Sequence, residues 1–157
     1  KCGYYGHATK ACTCTPKARL AYTAKISGPL LDRIDIHVEV PALDYNELSR
    51  TGPAEPSAEI RSRVIAARAF AAARTEGALT CNGLMTPADI RRFCRMDDAG
   101  GRLMQTAYDK FALSARAYDR ILKVARTAAD FDKSEIIRKE HIGLALQLRS
   151  MSKKYWQ

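Results

Sequence analysis

Residues 113–130, LSARAYDRILKVARTAAD, have the spacing of one long amphipathic helix. Ser114 is a favourable N-cap residue, and the pattern predicts a helix that runs from there to about Asp130. Apolar residues recur every three or four positions along one stripe, namely Tyr118, Ile121, Leu122, Ala125, Ala128 and Ala129. This stripe predicts a helix that packs into the core of a helical bundle.

A second face of the same helix is basic, and it is formed by Arg116, Arg120, Lys123 and Thr127. Arg116 lies in the first turn, where the helix dipole disfavours a cation by roughly 0.3–1 kcal/mol. The free backbone N–H groups at a helix start attract anions. Arg116 therefore belongs either to an anion-binding site or to an ordinary solvated basic face.

Four further helices are predicted around this one, with approximate bounds at 57–74, 86–95, 97–111 and 139–150. Ser57 is the predicted N-cap of the first, whose apolar positions are Ile60, Val64, Ala67 and Ala71. The second begins with a strong signal, because Thr86 can cap it and Pro87 suits the first helical position. The fold class is therefore mainly α, with an all-α bundle over residues 58–157.

The N-terminal part has a different pattern. Residues 1–25 lack a lasting period and are predicted to be loop, and residues 26–33 suit a short helix end. Residues 34–40, IDIHVEV, alternate apolar and polar residues as a half-buried strand does. A single strand cannot form a sheet, so residues 1–48 are expected to complete a larger fold that is not present in this chain. The Gly- and Pro-rich residues 49–57 are the predicted linker.

Arg33 stands directly before this predicted strand. Asp32 and Asp35 flank it and offer a surface ion pair worth about 0–1 kcal/mol. Alternatively, its planar guanidinium reaches across an interface to a phosphate, a task that arginine performs better than lysine. The residues alone leave both interpretations open.

The net charge of +9, with a pI near 9.5, favours phosphate-rich partners such as nucleotide or nucleic acid. A solvated basic surface without a partner explains the same charge. No apolar run approaches the roughly 20 residues of a membrane helix, so no membrane partner is expected. The first residue is Lys1 and no signal peptide follows, which suggests a piece of a larger cytoplasmic protein.

Five cysteines are an odd number, and without a secretion signal they indicate a reducing compartment. Cys2, Cys12 and Cys14, with His7 between them, could supply the four ligands of a tetrahedral zinc ion. Free thiols in a loop are the alternative. Cys81 and Cys94 are predicted to be small core residues.

Several catalytic motifs are absent from the 157 residues. The sequence contains no G-x-x-x-x-G-K-[ST] phosphate loop, no G-x-S-x-G and no H-E-x-x-H. No nucleophile and base can be paired. The chain alone is therefore expected to be catalytically inactive.

The chain resembles the C-terminal part of the ComM/YifB-type, magnesium-chelatase-like AAA+ ATPases, which implies that residues 1–48 are the remnant of an α/β core. The matching stretches are CGYYG…CTCTP, ISGPLLDRIDIHVEVPAL, SAEIRSRVIAAR, LSARAYDRILKVARTAAD and EHIGLALQLRS. The second and fourth are specific to the family, whereas the third is a generic helix. The family usually has another cysteine two positions before Cys2, outside this chain, which puts the zinc site in doubt.

The resemblance implies a role for both arginines. Arg33 would be the arginine finger that enters the nucleotide site of a neighbouring subunit in a homo-hexamer. Arg116 would be the sensor-2 arginine, which reaches from the helical lid (residues 58–157) to the ATP phosphate of its own subunit. ATP and Mg²⁺ would bind to Walker motifs in an upstream core, and the ring would act on DNA in branch migration during natural transformation.

Two other functions compete with this expectation. A stand-alone basic helical module could bind DNA directly, using the net charge and the helices after residue 57. A zinc-loop interaction domain, built on the N-terminal cysteines, is the third interpretation.

Overall fold

The computed structural model describes residues 4–5, 7, 10–40, 43, 45–49, 52 and 54–149. Within these ranges the protein is mainly helical. The described helices are α1 (Pro16–Thr23), α2 (Gly28–Leu31), α3 (Tyr45–Leu48), α4 (Ser57–Arg74), α5 (Pro87–Phe93), α6 (Asp98–Phe111), α7 (Ala115–Phe131) and α8 (Lys139–Gln147). A 3₁₀ turn at Asn82–Leu84 lies between α4 and α5. None of the described helices is both long and apolar enough to cross a membrane.

The chain divides into two compact units, one formed by residues before Ala54 and the other by Ala54–Arg149. The second unit is built around α7, which packs against α4, α5, α8 and the 3₁₀ turn, while α6 packs against α8. Its core consists of Met85, Ile90, Cys94, Met104, Ile121, Leu122, Ala125, Ala129, Ile137, Ile142 and Ala145. Helix α7 is therefore the central element of this unit.

The predicted apolar stripe of α7 is confirmed. Ile121, Leu122, Ala125 and Ala129 are buried, and the other two predicted members are partly buried. The stripe of α4 is only partly right, because Ala67 is buried and Ala71 half-buried whereas Ile60 and Val64 are exposed. The reason is that residues 57–66 of α4 are exposed on every side within this unit.

Side-chain caps fix the starts of three helices in the second unit. Thr86 and Asp89 form a capping box at α5, in which each side chain accepts a backbone N–H of the other residue. Asp97 caps α6 and Ser114 caps α7. The predicted cap at Ser57 is wrong, since Pro56 occupies the N-cap position and Ser57 is the first helical residue.

The segments that precede α6 and α8 are tied together by a short parallel bridge between Met96 and Ile137. The Asp97 N–H donates to the Ile137 carbonyl at 3.0 Å, and the Ile137 N–H donates to the Arg95 carbonyl at 2.8 Å. The first turn of α6 passes close to this bridge at Gly100. These contacts fix the starting points of both helices.

The N-terminal unit departs from the sequence-based predictions in two places. Helix α1 lies inside residues 1–25, which were predicted to be loop, and Thr15 caps it through the Ala18 N–H. The predicted strand 34–40 is not formed, because the described residues contain no sheet that it could join. The remnant of an α/β core is therefore not present as a sheet, whereas the short helix predicted within 26–33 is confirmed as α2.

Candidate functional site

Arg116 is the second residue of α7 and is exposed. Its position is set by the turn that precedes it, where Ala112 ends α6 in the left-handed region at φ 45°. The Ser114 hydroxyl then accepts the Ala117 N–H at 3.1 Å and begins the new helix. Within the described part of the chain, the Arg116 guanidinium makes no hydrogen bond or ion pair. It therefore presents its donors to solvent beside a helix N-terminus.

The rest of the predicted basic face has structural contacts. Lys123 donates through Nζ to the Gly83 carbonyl at 3.0 Å, which ties α7 to the 3₁₀ turn. The Thr127 hydroxyl accepts from Asn82 Nδ2 at 3.0 Å. Arg120 is half-buried. The face predicted as one continuous surface is thus divided, and Arg116 is its exposed arginine.

Arg126, which the sequence analysis did not single out, is fully buried in α7. Its Nε donates to Asp130 Oδ1 at 3.1 Å, its Nη1 donates to the Glu135 carbonyl at 2.8 Å, and its Nη2 donates to the Ser134 carbonyl. Burial lowers the pKa of this guanidinium, and the neighbouring Asp130 carboxylate opposes that shift. The signal that could have revealed it is the i,i+4 pair Arg126/Asp130 beside two stripe alanines.

A second arginine shares the same carboxylate. Arg74, at the end of α4, donates through Nη2 to Asp130 Oδ2 at 3.1 Å and to Asn82 Oδ1 at 3.0 Å. Asn82 completes the triangle by donating to Asp130 Oδ2 at 2.7 Å. We call Arg74, Asn82, Arg126 and Asp130 the buried network. It joins α4, the 3₁₀ turn and α7, and so fixes the rotation of the helix that carries Arg116.

Cys94 lies in the core beside the buried network, as predicted. Burial raises the pKa of its thiol to about 11, so the thiol stays protonated at neutral pH. Its Sγ lies 3.8 Å from the Met85 sulfur. Cys81 is exposed, and its predicted place in the core is wrong.

Arg33 follows α2 in the N-terminal unit. The Ser27 carbonyl accepts the Leu31 N–H at 3.1 Å, and Leu31 is buried, which anchors this single turn. Arg33 is exposed, and its Nη1 donates to the Pro29 carbonyl at 2.9 Å. Arg33 and Arg116 belong to different compact units.

The proposed zinc ligands are not supported. Cys12 and Cys14 are half-buried, whereas Cys2 lies outside the described residues. Among the residues that are described, no group of three or more His, Cys, Asp or Glu side chains is placed to hold a metal ion. His7 contacts the ring of Tyr4 and accepts the Lys10 N–H through Nδ1 at 3.2 Å.

Two family models match the chain, one in each part. Residues 54–149 match the magnesium chelatase subunit ChlI C-terminal domain, and residues 1–48 match the magnesium chelatase subunit ChlI model. The first match alone covers more than half of the chain. It includes α7 and the buried network.

Curated relatives agree with these matches. The chain is 37% identical over 141 residues to the uncharacterized protein YifB of Escherichia coli, an alignment that covers 89% of this chain and 27% of YifB. It is also 37% identical over 138 residues to the competence protein ComM of Haemophilus influenzae, covering 87% of this chain and 26% of ComM. The chain thus spans about a quarter of the length of these relatives. The chain belongs to the magnesium-chelatase family and is of the ComM/YifB type.

Proposed function

We propose that this chain supplies the arginine finger and the sensor-2 lid of a hexameric, cytoplasmic AAA+ ATPase that couples ATP hydrolysis to DNA remodelling. Arg33 acts in the nucleotide site of the neighbouring subunit, and Arg116 acts in the site of its own subunit. The chain has no phosphate loop of its own, so hydrolysis requires a core that carries the Walker motifs. Because ComM is a competence protein, its similarity to this chain supports DNA as the partner of the assembly.

The observation that carries the proposal is the position of Arg116. A solvent-facing guanidinium beside a capped helix start offers both a cation and nearby backbone dipoles to an anion. The buried network holds the same helix in a fixed orientation. A phosphate sensor needs this combination, because its reach depends on the rigidity of the element that carries it.

The residues present suit a nucleotide phosphate rather than a metal ion. Arg33 and Arg116 are exposed cations with planar sets of donors, which match phosphate oxygens. Mg²⁺ would be held with ATP by residues of the upstream core rather than by these arginines, and it would supply neutralisation of phosphate charge. In the proposed mechanism Arg33 stabilises the charge on the transferred phosphoryl group, an effect worth on the order of 10³–10⁵ in rate.

Arg116 would also connect nucleotide state to movement. A lid arginine that binds the γ-phosphate loses that contact after hydrolysis, so the preferred lid orientation changes with the nucleotide. The proposed hinge is the 49–57 segment, within which the two compact units divide. Movement of one subunit against the next would then act on the DNA.

The test uses a ComM/YifB-type protein in which this chain follows its ATPase core. Arg33→Ala and Arg116→Ala are each expected to lower the ATPase rate by at least 10²-fold for the finger and at least 10-fold for the sensor, as order-of-magnitude estimates. Arg102→Ala, which removes an exposed arginine of α6, is the matched control and should leave the rate unchanged. Wild-type rates in both Arg33→Ala and Arg116→Ala would refute the proposal.

Mixed assemblies distinguish the two roles. Arg33→Ala subunits mixed with Walker-defective subunits should regain activity, because a Walker-competent site then receives an intact finger from its neighbour. Arg116→Ala subunits mixed in the same way should keep their reduced rate, because no single subunit has both required parts. Recovery in the second mixture, or no recovery in the first, would contradict the assigned roles.

A further inference from the structure

The N-terminal unit has a surface that the ATPase proposal does not use. Residues 1–31 contain five basic residues, Lys1, Lys10, Lys17, Arg19 and Lys25, and no acidic residue. Within the described part of this stretch, each of the three tyrosines has a cation beside its ring. Basic residues interleaved with exposed aromatic rings are typical of surfaces that bind nucleic acid.

The three pairs are linked to one another by short sequence separations, since Tyr4 and Tyr5 are adjacent and Arg19 and Tyr22 lie on the same helix. Lys10 Nζ lies 5.1 Å from the centre of the Tyr4 ring, and the Arg19 guanidinium lies 4.8 Å from the centre of the Tyr5 ring. Arg19 and Tyr22 are three residues apart on α1 and therefore neighbours on the helix surface. Lys25 Nζ follows at 5.9 Å from the Tyr22 ring. We call Tyr4, Tyr5, Lys10, Arg19, Tyr22 and Lys25 the tyrosine–cation strip.

The rings of the strip remain open to a ligand. Tyr4, Tyr5 and Tyr22 are each 48% exposed although each also contacts a cation. Each ring can therefore present uncovered surface to a planar partner while its cation contacts a neighbouring phosphate. Leu20, also on α1, is exposed and adds apolar surface to the same helix. The arrangement places a positive charge within 6 Å of each of three exposed aromatic rings.

We propose that the tyrosine–cation strip binds single-stranded nucleic acid. Bases stack on aromatic side chains only when they are unpaired, whereas a duplex offers the strip its phosphates alone. Residues 1–31 contain no acidic residue, so this stretch itself contributes only positive side-chain charge towards phosphates. Stacking and phosphate contacts do not read the sugar, so the shared chemistry covers DNA and RNA strands.

This inference goes beyond the ATPase proposal and is independent of Arg33 and Arg116. Oligonucleotide binding by the strip requires neither ATP nor a neighbouring subunit. Normal ATPase rates in Arg33→Ala and Arg116→Ala would not contradict oligonucleotide binding by the strip. Conversely, a strip that fails to bind would leave both arginine assignments unchanged.

The test is fluorescence anisotropy of the 157-residue chain with labelled 12-mer oligo(dT), oligo(U) and a DNA duplex of equal length. Single strands are expected to bind more tightly than the duplex. Tyr5→Ala and Tyr22→Ala should each weaken oligonucleotide binding about five-fold or more. Tyr5→Phe and Tyr22→Phe, which keep the ring, should bind as the wild type does. Tyr45→Ala, an exposed tyrosine outside the strip, is the matched control and should change nothing.

A salt series adds a second readout that folding defects would not mimic. Lys10→Gln and Lys25→Gln replace exposed lysines and should each reduce the slope of log K against log salt by about 0.7. Binding of oligo(dT), of oligo(U) or of both supports the proposal. Equal affinity for duplex and single strand, no binding at all, or alanine variants that behave like Tyr45→Ala would overturn it.

Discussion

Two guanidinium groups, one fully buried and one half-buried, share one carboxylate in the helical unit. Arg74 and Arg126 both donate to Asp130, and Asn82 supplies a further hydrogen bond to the same carboxylate. Removing these charges from water is costly, and only close pairing with good hydrogen bonds offsets that cost. The two carbonyls that accept from Arg126 satisfy its remaining nitrogens. Asp130 is therefore the residue on which the buried network depends.

Asp130→Asn is expected to destabilise the chain by about 3–5 kcal/mol, because it leaves the buried Arg126 and the half-buried Arg74 without a counter-charge. Asparagine has nearly the same size, so the loss reports charge rather than a cavity. Urea unfolding followed by circular dichroism measures the effect. Glu55→Gln, which breaks the exposed pair with Arg63, is the control and should cost at most about 1 kcal/mol. Similar losses in the two variants would contradict this account.

The burial of Arg126 could not be predicted from the sequence. On a helical wheel it lies near buried stripe positions, yet an arginine is normally assigned to the surface. Only the positions of Asp130 and of the Ser134 and Glu135 carbonyls explain why it is buried. These partners come together after folding, and the sequence alone does not place the two carbonyls.

Three helix starts in the second unit were predicted correctly, because the residues that cap a helix are close together in the sequence. Thr86, Asp97 and Ser114 lie at helix starts in the sequence pattern and cap helices in the structure. Thr15–Pro16 is the same kind of signal and begins α1, although it was not interpreted as one. The sequence of residues 34–40 alone could not decide whether a strand forms there, since a strand requires partners from elsewhere in a fold.

The capping box of α5 predicts a dependence of stability on pH. The Thr86 hydroxyl and backbone N–H both donate to the Asp89 carboxylate and hold its pKa below its ordinary value. Because the folded pKa is the lower one, this contribution is present at neutral pH and is lost as pH falls through the folded value. The difference in Tm between wild type and Asp89→Asn should therefore shrink below about pH 4.

The comparison needs a carboxylate outside any capping box. Asp109→Asn removes an exposed carboxylate of α6 and serves that purpose. Its Tm difference from wild type is expected to change much less over the same range. A Tm difference between wild type and Asp89→Asn that stays constant from pH 7 to pH 2 would show that the charge of Asp89 contributes nothing to the capping box.

Two adjacent glycines in α6 should respond to alanine in opposite directions. A Cβ at Gly100 would lie 2.9 Å from Asp97 Oδ1, the atom that caps the helix, and 3.4 Å from the Ile137 carbonyl oxygen. Gly100→Ala is therefore expected to cost about 1–3 kcal/mol. Gly101 has open space around its Cβ position, and Gly101→Ala should stabilise the helix by up to about 1 kcal/mol. Thermal unfolding of both variants tests this, and the same sign in both would contradict it.

The core cluster lies entirely within the second unit, between Met85 and Ala145. Residues 54–149 are therefore expected to fold without the residues before them. The isolated segment should give helical circular dichroism and one cooperative thermal transition, with a Tm close to that of the corresponding transition in the whole chain. A non-cooperative transition would show that this unit depends on the rest of the chain.

At the scale of the whole molecule, periodicity and capping residues predicted the helical character of the chain. The family resemblance supplied the functional hypothesis. Composition and periodicity did not decide whether Arg33 and Arg116 belong to a binding site or to a solvated surface. Their exposure in the structure is compatible with either role. The roles could not be derived from this chain because a nucleotide site of the proposed kind is completed by residues of an upstream core and a neighbouring subunit.

Helix α4 has a mechanical consequence. Its C-terminal residue, Arg74, is held by Asp130, whereas residues 57–66 are exposed within the same unit. A helix of 18 residues is about 27 Å long, so a tilt of about 10° at Arg74 would move the far end by roughly 4–5 Å. A small rotation of α4 about its contact with Asp130 would therefore displace Ser57 by several times the movement near Arg74.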